Sequence, residues 1–255
     1  MEQIWLCLFA MLAGLIDSVA GGGGLIQLPA LLLYLPQAEA ATVATVFGTN
    51  KFASLCGTSV AVYQYGRRCP IPWRAIGPGA ATALVFSFWG AHTVAAMDAS
   101  FLRPAVLCLL IAVTAYTWLR KDFGDEHRPT LEAHKQVWAA LATGAGIGFY
   151  DGFFGPGTGS FLIFIFIGWF GFDFLTASAS AKVINLATNL AAVSFFAATG
   201  HVAWRYAVPM ALCNIIGNAV GSHLALLKGN RFVRRFFLLV AVAMIGRFGW
   251  QVFNR

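Results

Sequence analysis

A shift of 131 residues lays the second half of this chain on the first. Lys51 falls on Lys182, Leu55 on Leu186, Trp73-Arg74 on Trp204-Arg205 and Pro78 on Pro209. Gly90 then meets Gly221, His92 meets His223, Phe101 meets Phe232 and Arg103 meets Arg234. A shift of 134 aligns Gly14, Asp17 and Gly21 with Gly148, Asp151 and Gly155. Single matches are common in an apolar chain, but Trp-Arg, Pro, Gly-x-His and Arg in one register are not. A chain that repeats itself once folds as two similar halves, so its unusual residues come in pairs.

Composition places those halves in a membrane. Hydrophobic residues make up 59% of the chain and charged residues 11%, and the mean hydropathy is +0.73, far outside soluble usage. Residues 4–20 are apolar with no basic stretch before them, so no cleavable secretory signal is expected. The net charge of +7 reads as loop charge that orients a membrane protein rather than as a nucleic-acid surface. The five cysteines, Cys7, Cys56, Cys69, Cys108 and Cys213, are odd in number and show no metal or redox spacing, so they read as small core residues.

About 20 apolar residues cross a bilayer as a helix. Candidate segments run 3–20, 25–36, 38–65, 73–97 and 101–120, then 136–154, 159–171, 174–199, 204–228 and 232–253. The expected organisation is a first repeat at 1–120, a cytoplasmic connecting loop at 121–135 and a second repeat at 136–255. The second segment of each set is short and follows a glycine cluster, Gly21 to Gly24 in one half and Gly155-Pro156-Gly157-Thr158-Gly159 in the other. Such runs forfeit helix propensity, and non-helical backbone survives at membrane depth only beside protein or a water-filled cavity. Each half is therefore expected to begin with a broken helix pair whose short member either spans or re-enters.

Loop charge orients the halves. Arg67, Arg68 and Arg74 precede the fourth segment, whereas its counterpart carries only Arg205. The next loop reverses this: Arg103 stands against Asp98, while the counterpart holds Lys228, Arg231, Arg234 and Arg235. Basic short loops stay cytoplasmic, so equivalent loops face opposite sides. The expectation is an all-α polytopic bundle of two inverted repeats, each of about five segments, with both termini outside the cytoplasm. Interrupted helices in inverted repeats place a transporter's site near midplane between the repeats.

A charge at that depth costs about 2.5–3.5 kcal/mol on insertion scales, so it has a function or a partner. Lys51, Ser54 and Thr58 share one helical face, and Lys182, Asn185 and Asn189 repeat its i, i+3, i+7 spacing. Lysine beside hydroxyl and amide donors suits a small oxyanion, and helix N-termini after the glycine clusters add N–H groups and a favourable dipole. The expected substrate-binding set is Lys51, Lys182, Thr49, Asn50, Ser54, Thr158, Asn185, Asn189, Gly23 and Gly157. Asp17 and Asp151 are read either as proton-coupling groups or as salt-bridge partners, in pairs Lys51–Asp17 or Lys182–Asp151. The glycines have a bland reading as close-packing positions, but four in a row exceed what packing needs.

Other polar residues carry less. Asn214 and Asn218 either bridge helices or line the pathway, and Trp73-Arg74 and Trp204-Arg205 read as interfacial anchors. Asp173 is expected to cap the eighth segment. His92 and His223 have no supporting acid or cysteine nearby, so neither a metal nor a cofactor is expected. No nucleophile–base set emerges, since Ser160 has no neighbouring histidine in sequence, and no enzyme activity is expected.

The run Gly14-Leu-Ile-Asp17-Ser-Val-Ala-Gly21-Gly-Gly-Gly24-Leu-Ile-Gln27-Leu-Pro29, followed by Gly48-Thr49-Asn50-Lys51, resembles the opening signature of the sulfite exporter TauE/SafE family, also called the four-toluene sulfonate uptake permease family. The second half fits the same pattern, with Gly148-Phe-Tyr-Asp151-Gly-Phe-Phe-Gly155-Pro-Gly157-Thr158-Gly159, Ala181-Lys182 and Asn185. The Gly-x-His at His92 and His223 departs from that pattern. The resemblance implies an integral inner-membrane transporter linked to sulfite, sulfonates and related sulfur anions. The expected function is thus secondary transport of a small sulfur-containing oxyanion by alternating access, with or without proton coupling. The expected partners are the anion and membrane lipid, not nucleic acid. An anion-selective channel is the alternative, and a membrane-embedded enzyme using Cys56 or Cys213 is a further one.

Overall fold

The computed structural model describes residues 1–36, 39, 42–95 and 130–253. These form eight helices: α1 Glu2–Ala20, α2 Gly24–Tyr34, α3 Val43–Gly66, α4 Trp73–Val94, α5 Ala133–Phe153, α6 Thr158–Gly168, α7 Phe174–Ala198 and α8 Trp204–Phe253. There is no strand among the described residues. The segment expected at 101–120, most of the connecting loop, Asp98, Arg103 and Cys108 lie outside them.

Local chemistry explains where the helices start and stop. The Asp173 carboxylate accepts from Leu175 N and Thr176 N, both at 2.9 Å, so it caps α7 as its position in the sequence implies. The Thr42 hydroxyl accepts from Thr45 N at 3.2 Å and starts α3. Helix α1 ends at Gly21, whose left-handed φ of 76° and N–H bond to Asp17 O form a glycine C-cap. Helix α8 turns at Gly229, where φ is 70°, at the break expected between segments 204–228 and 232–253.

Helices α2 and α6 have 11 residues each. At 1.5 Å per residue they rise about 16 Å, roughly half the hydrocarbon thickness, so neither crosses a bilayer as a helix alone. Among the described residues, three helices are long and apolar enough to do so by themselves: Glu2–Ala20, Phe174–Ala198 and Trp204–Leu239.

Among the described residues, the fourth helix of each half has left its own half. Helix α4 packs most extensively on α5 and also on α7, while α8 packs most extensively on α1 and also on α3. Two bundles result, one of α1, α2, α3 and α8, the other of α4, α5, α6 and α7. The pattern is unchanged when each helix is replaced by its repeat counterpart. Between the bundles the main contact is α3 against α7, with α1 crossing α6.

Large apolar side chains stand on the exterior, and two lysines lie in the interior. Trp89, Leu33 and Leu212 are 60% exposed or more, whereas Lys51 is 3% and Lys182 0% exposed. That inversion of soluble design is what a lipid solvent selects. The chain is an all-α integral membrane protein.

Candidate functional site

Each broken helix carries its acid just before the break. Asp17 lies one turn before the end of α1 and Asp151 one turn before the end of α5. The two breaks then meet. Ser160 N donates to Gly21 O at 3.1 Å and the Ser160 hydroxyl donates to Ala20 O at 2.8 Å, so the start of α6 crosses the end of α1. The backbones touch: a Cβ on Gly21 would collide with Gly159, and one on Gly159 would collide with Gly21. This crossing needs glycine, and it uses up the Ser160 hydroxyl.

The acids reach across the interface. Lys51 Nζ lies 2.7 Å from Asp151 Oδ2, and Lys182 Nζ donates to Asp17 Oδ2 at 2.7 Å. The within-half pairs Lys51–Asp17 and Lys182–Asp151 named from sequence are therefore corrected: each lysine takes the acid of the other half. The physical reason is that α1 and α5 turn their broken ends toward the opposite bundle. The contacts also differ in quality. Lys182 makes an aligned hydrogen bond and is fully buried, while Lys51 meets Asp151 as an ion contact without hydrogen-bond alignment.

Between the bundles lies a cavity of about 30 Å³, lined by Asp17, Gly21, Gly24, Asn50, Lys51 and Ser54 from the first half. From the second half come Asp151, Gly155, Gly157, Thr158, Gly159, Asn185 and Asn189. Of the residues proposed from sequence, it brings together Lys51, Asn50, Ser54, Thr158, Asn185, Asn189 and Gly157, with both acids. Three stand elsewhere. Lys182 is sealed against Asp17. The Thr49 hydroxyl donates to Thr45 O at 2.7 Å and accepts from Ala203 N at 3.0 Å, tying α3 to the start of α8. Gly23 abuts α1, where a Cβ would stand 2.6 Å from Ala13 O. In its place the wall holds Gly21, Gly24, Gly155 and Gly159, which only the crossing of the breaks reveals.

The wall offers hydrogen-bonding capacity. Asn50 Oδ1 and Asn185 Oδ1 are buried acceptors without a partner, a cost avoided when a water donates to them. Neither α2 nor α6 has a side-chain cap, and their first residues, Gly24, Thr158 and Gly159, line the cavity, although Leu25 N, Thr158 N and Ser160 N already donate to backbone carbonyls. The Thr158 hydroxyl donates to Gly155 O at 2.7 Å, which presents its lone pairs elsewhere.

Other expectations resolve as follows. Asn214 bridges helices: it donates to Ala10 O at 3.1 Å and to Gln27 Oε1 at 2.9 Å. Asn218 donates to Asn214 Oδ1 at 2.7 Å, and neither asparagine lines the cavity. Trp73 and Trp204 are 55% and 49% exposed at their helix starts, as anchors require. His92 and His223 are exposed, and His92 packs its ring edge on Phe195. No group of three His, Cys, Asp or Glu side chains converges among the described residues. Cys56 and Cys213 are free thiols off the cavity. Cys69, in the turn after α3, has its thiol pushed up to about 11, first by burial and then by the Asp173 charge.

Gln27 was not singled out from sequence. Its amide links Asn214 to Asn50 O at 3.4 Å, behind the cavity wall. The signal was available, because a lone glutamine within an apolar segment is as conspicuous as a lone lysine.

The sequence also has relatives. It is 34% identical over 239 residues to a probable membrane transporter protein, ORF9, of Sinorhizobium sp, covering 92% of this chain and 87% of that one. The probable membrane transporter protein YfcA of Escherichia coli K12 is 34% identical over 238 residues, 92% of this chain and 85% of its own. A probable membrane transporter protein of Haemophilus influenzae is 30% identical, covering 93% and 92% of the two chains. No solved structure matches. The sulfite exporter TauE/SafE family model matches residues 6–248, and with the paired glycine breaks and buried lysines in place, this chain belongs to that family of membrane transporters.

Proposed function

We propose that this protein is a secondary transporter of a small sulfur-containing oxyanion, sulfite or a sulfonate, working by alternating access. The observation that carries the reading is the cavity between two bundles, with the Lys51 ammonium in its wall among amides, hydroxyls and the starts of two helices without side-chain caps. The family description, sulfite exporter, supports the class of substrate.

The charge arrangement supplies a mechanism. Lys51 with Asp151 and Lys182 with Asp17 form a cluster of zero formal charge. A buried anion added to it leaves one negative charge uncompensated, which is costly in a low-dielectric interior. Protonation of Asp151 releases Lys51 and restores neutrality, so anion and proton load together. Space points the same way. About 30 Å³ holds roughly two waters, and an oxyanion enters only when the unaligned Lys51–Asp151 contact opens. The sequence division into inverted repeats, 1–120 and 136–255, with termini outside the bacterial inner membrane, completes the reading.

Uptake into proteoliposomes tests it, using sulfite, thiosulfate, sulfoacetate, taurine and sulfate with and without a pH gradient. Selective, saturable uptake is expected, lost in Lys51→Gln and uncoupled from the pH gradient in Asp151→Asn. Counterflow of labelled substrate separates a carrier from a channel. Unchanged uptake in Lys51→Gln refutes the role of that lysine.

A further inference from the structure

The cavity is not centred on the repeat. Four of its pairs are matched across the halves: Asp17 with Asp151, Gly21 with Gly155, Gly24 with Thr158, and Ser54 with Asn185. The rest is one-sided. Lys51 is on the wall but its counterpart Lys182 is not, and Asn189 is on the wall but its counterpart Thr58 is not. On α3 the cavity therefore reaches the Lys51 end of the polar face, and on α7 it reaches the far end. The absent residues are buried: Lys182 is 0% and Thr58 1% exposed.

Thr58 has no structural reason to be polar. Its hydroxyl is buried without a partner, a position where valine would fill the same volume without an unmet hydrogen bond. Thr49, by contrast, has both of its bonds made on the same helix.

We propose that Thr58 and Lys182 contact the anion in a second arrangement of the same site, in which the two halves exchange conformations. Lys182 and Thr58 then take the places of Lys51 and Asn189, while Ser54, Asn185 and the two acids stay on the wall in both arrangements. Asp151 gives up its proton and reclaims Lys51 while Asp17 takes a proton and releases Lys182, so the site with its anion keeps zero net charge. The anion passes from one lysine to the other at the repeat interface. This inference rests on the carrier reading above for the ligand, but the exchange itself is measurable without one.

The experiment has two arms. Asn189→Cys and Thr58→Cys are placed singly in a chain whose five native cysteines are replaced, and a small impermeant thiol reagent is applied to right-side-out or inside-out vesicles. Labelling of Asn189→Cys from one face and of Thr58→Cys from the opposite face is expected. Labelling of both from the same face, or of Asn189→Cys alone, overturns the proposal. The second arm keeps the native cysteines and measures KM for sulfite and sulfoacetate from each face in Thr58→Val. A rise of about tenfold from one face only, the loss of one hydrogen bond, is expected with folding intact. Wild-type KM on both faces, or an equal rise on both, overturns it. If wild type carries neither anion, the carrier reading fails while the labelling arm still decides the exchange.

Discussion

The two bundles share one outline and differ in what holds them together. Inside the bundle of α1, α2, α3 and α8 an amide chain runs from Asn50 O through Gln27, Asn214 and Asn218 to Ser222, whose hydroxyl donates to Gln64 at 2.8 Å. At the matching positions the other bundle has Phe161 for Gln27, Ala83 for Asn214, Ser87 for Asn218, Ala91 for Ser222 and Phe195 for Gln64. Of these only Ser87 bonds across helices, donating to Thr188 O at 2.9 Å. One bundle is tied by buried amides, and the other by close contact and aromatic packing such as Phe88 on Phe195. The ion pairs follow the same asymmetry, with Lys182 sealed and Lys51 at the cavity. A duplicated sequence keeps its outline through backbone geometry, namely the glycine breaks and helix lengths, while side-chain interiors diverge because either chemistry satisfies a membrane bundle.

The largest effect belongs to the sealed pair. Lys182→Met strands the Asp17 carboxylate and is expected to cost about 3–5 kcal/mol, read as a lowered thermal unfolding midpoint in detergent. Adding Asp17→Leu to it recovers most of that loss. Lys51→Met is expected to cost less stability while abolishing uptake, because the Lys51–Asp151 contact lacks the aligned hydrogen bond that Lys182 makes to Asp17. Equal instability of the two lysine variants would erase the distinction between the pairs.

Next comes the crossing of the breaks. Gly21→Ala sets a side chain at φ 76° against the Gly159 backbone and is expected to cost at least about 2 kcal/mol. Gly24→Ala, whose Cβ meets only Pro156 Cα at 3.7 Å, is expected to be tolerated. Chemical unfolding of the two variants side by side checks this.

The smallest effects separate the bundles themselves. Asn214→Ala loses bonds to two helices, about 1–2 kcal/mol, and Ser87→Ala loses one, about 0.6 kcal/mol. A larger loss at Ser87 would show that the bundle of α4 to α7 depends on that polar tie more than on its packing.

Much of the site was legible because its signals are local. A lysine in an apolar segment stands out, and i, i+3, i+7 spacing puts Lys51 with Ser54 and Lys182 with Asn189 on single faces without any knowledge of neighbours. Two of the residues expected in the site, Thr49 and Gly23, stand off the cavity for a shared reason. Thr49 adjoins Asn50 in the chain yet points about 100° away around the helix, where the start of α8 takes its hydroxyl. Gly23 and Gly24 are adjacent too, and only the path of the backbone decides which faces inward.

The sequence by itself determined the membrane class, the helix ends, the two breaks and the pairing of unusual residues, since hydropathy, capping and glycine act over a few residues. Tertiary structure alone decided that α4 and α8 trade bundles, that each lysine takes the acid of the opposite half, and that one lysine faces the cavity while its counterpart is sealed. Those outcomes depend on which of several similar apolar faces meet, and periodicity states that a face exists without stating what it meets.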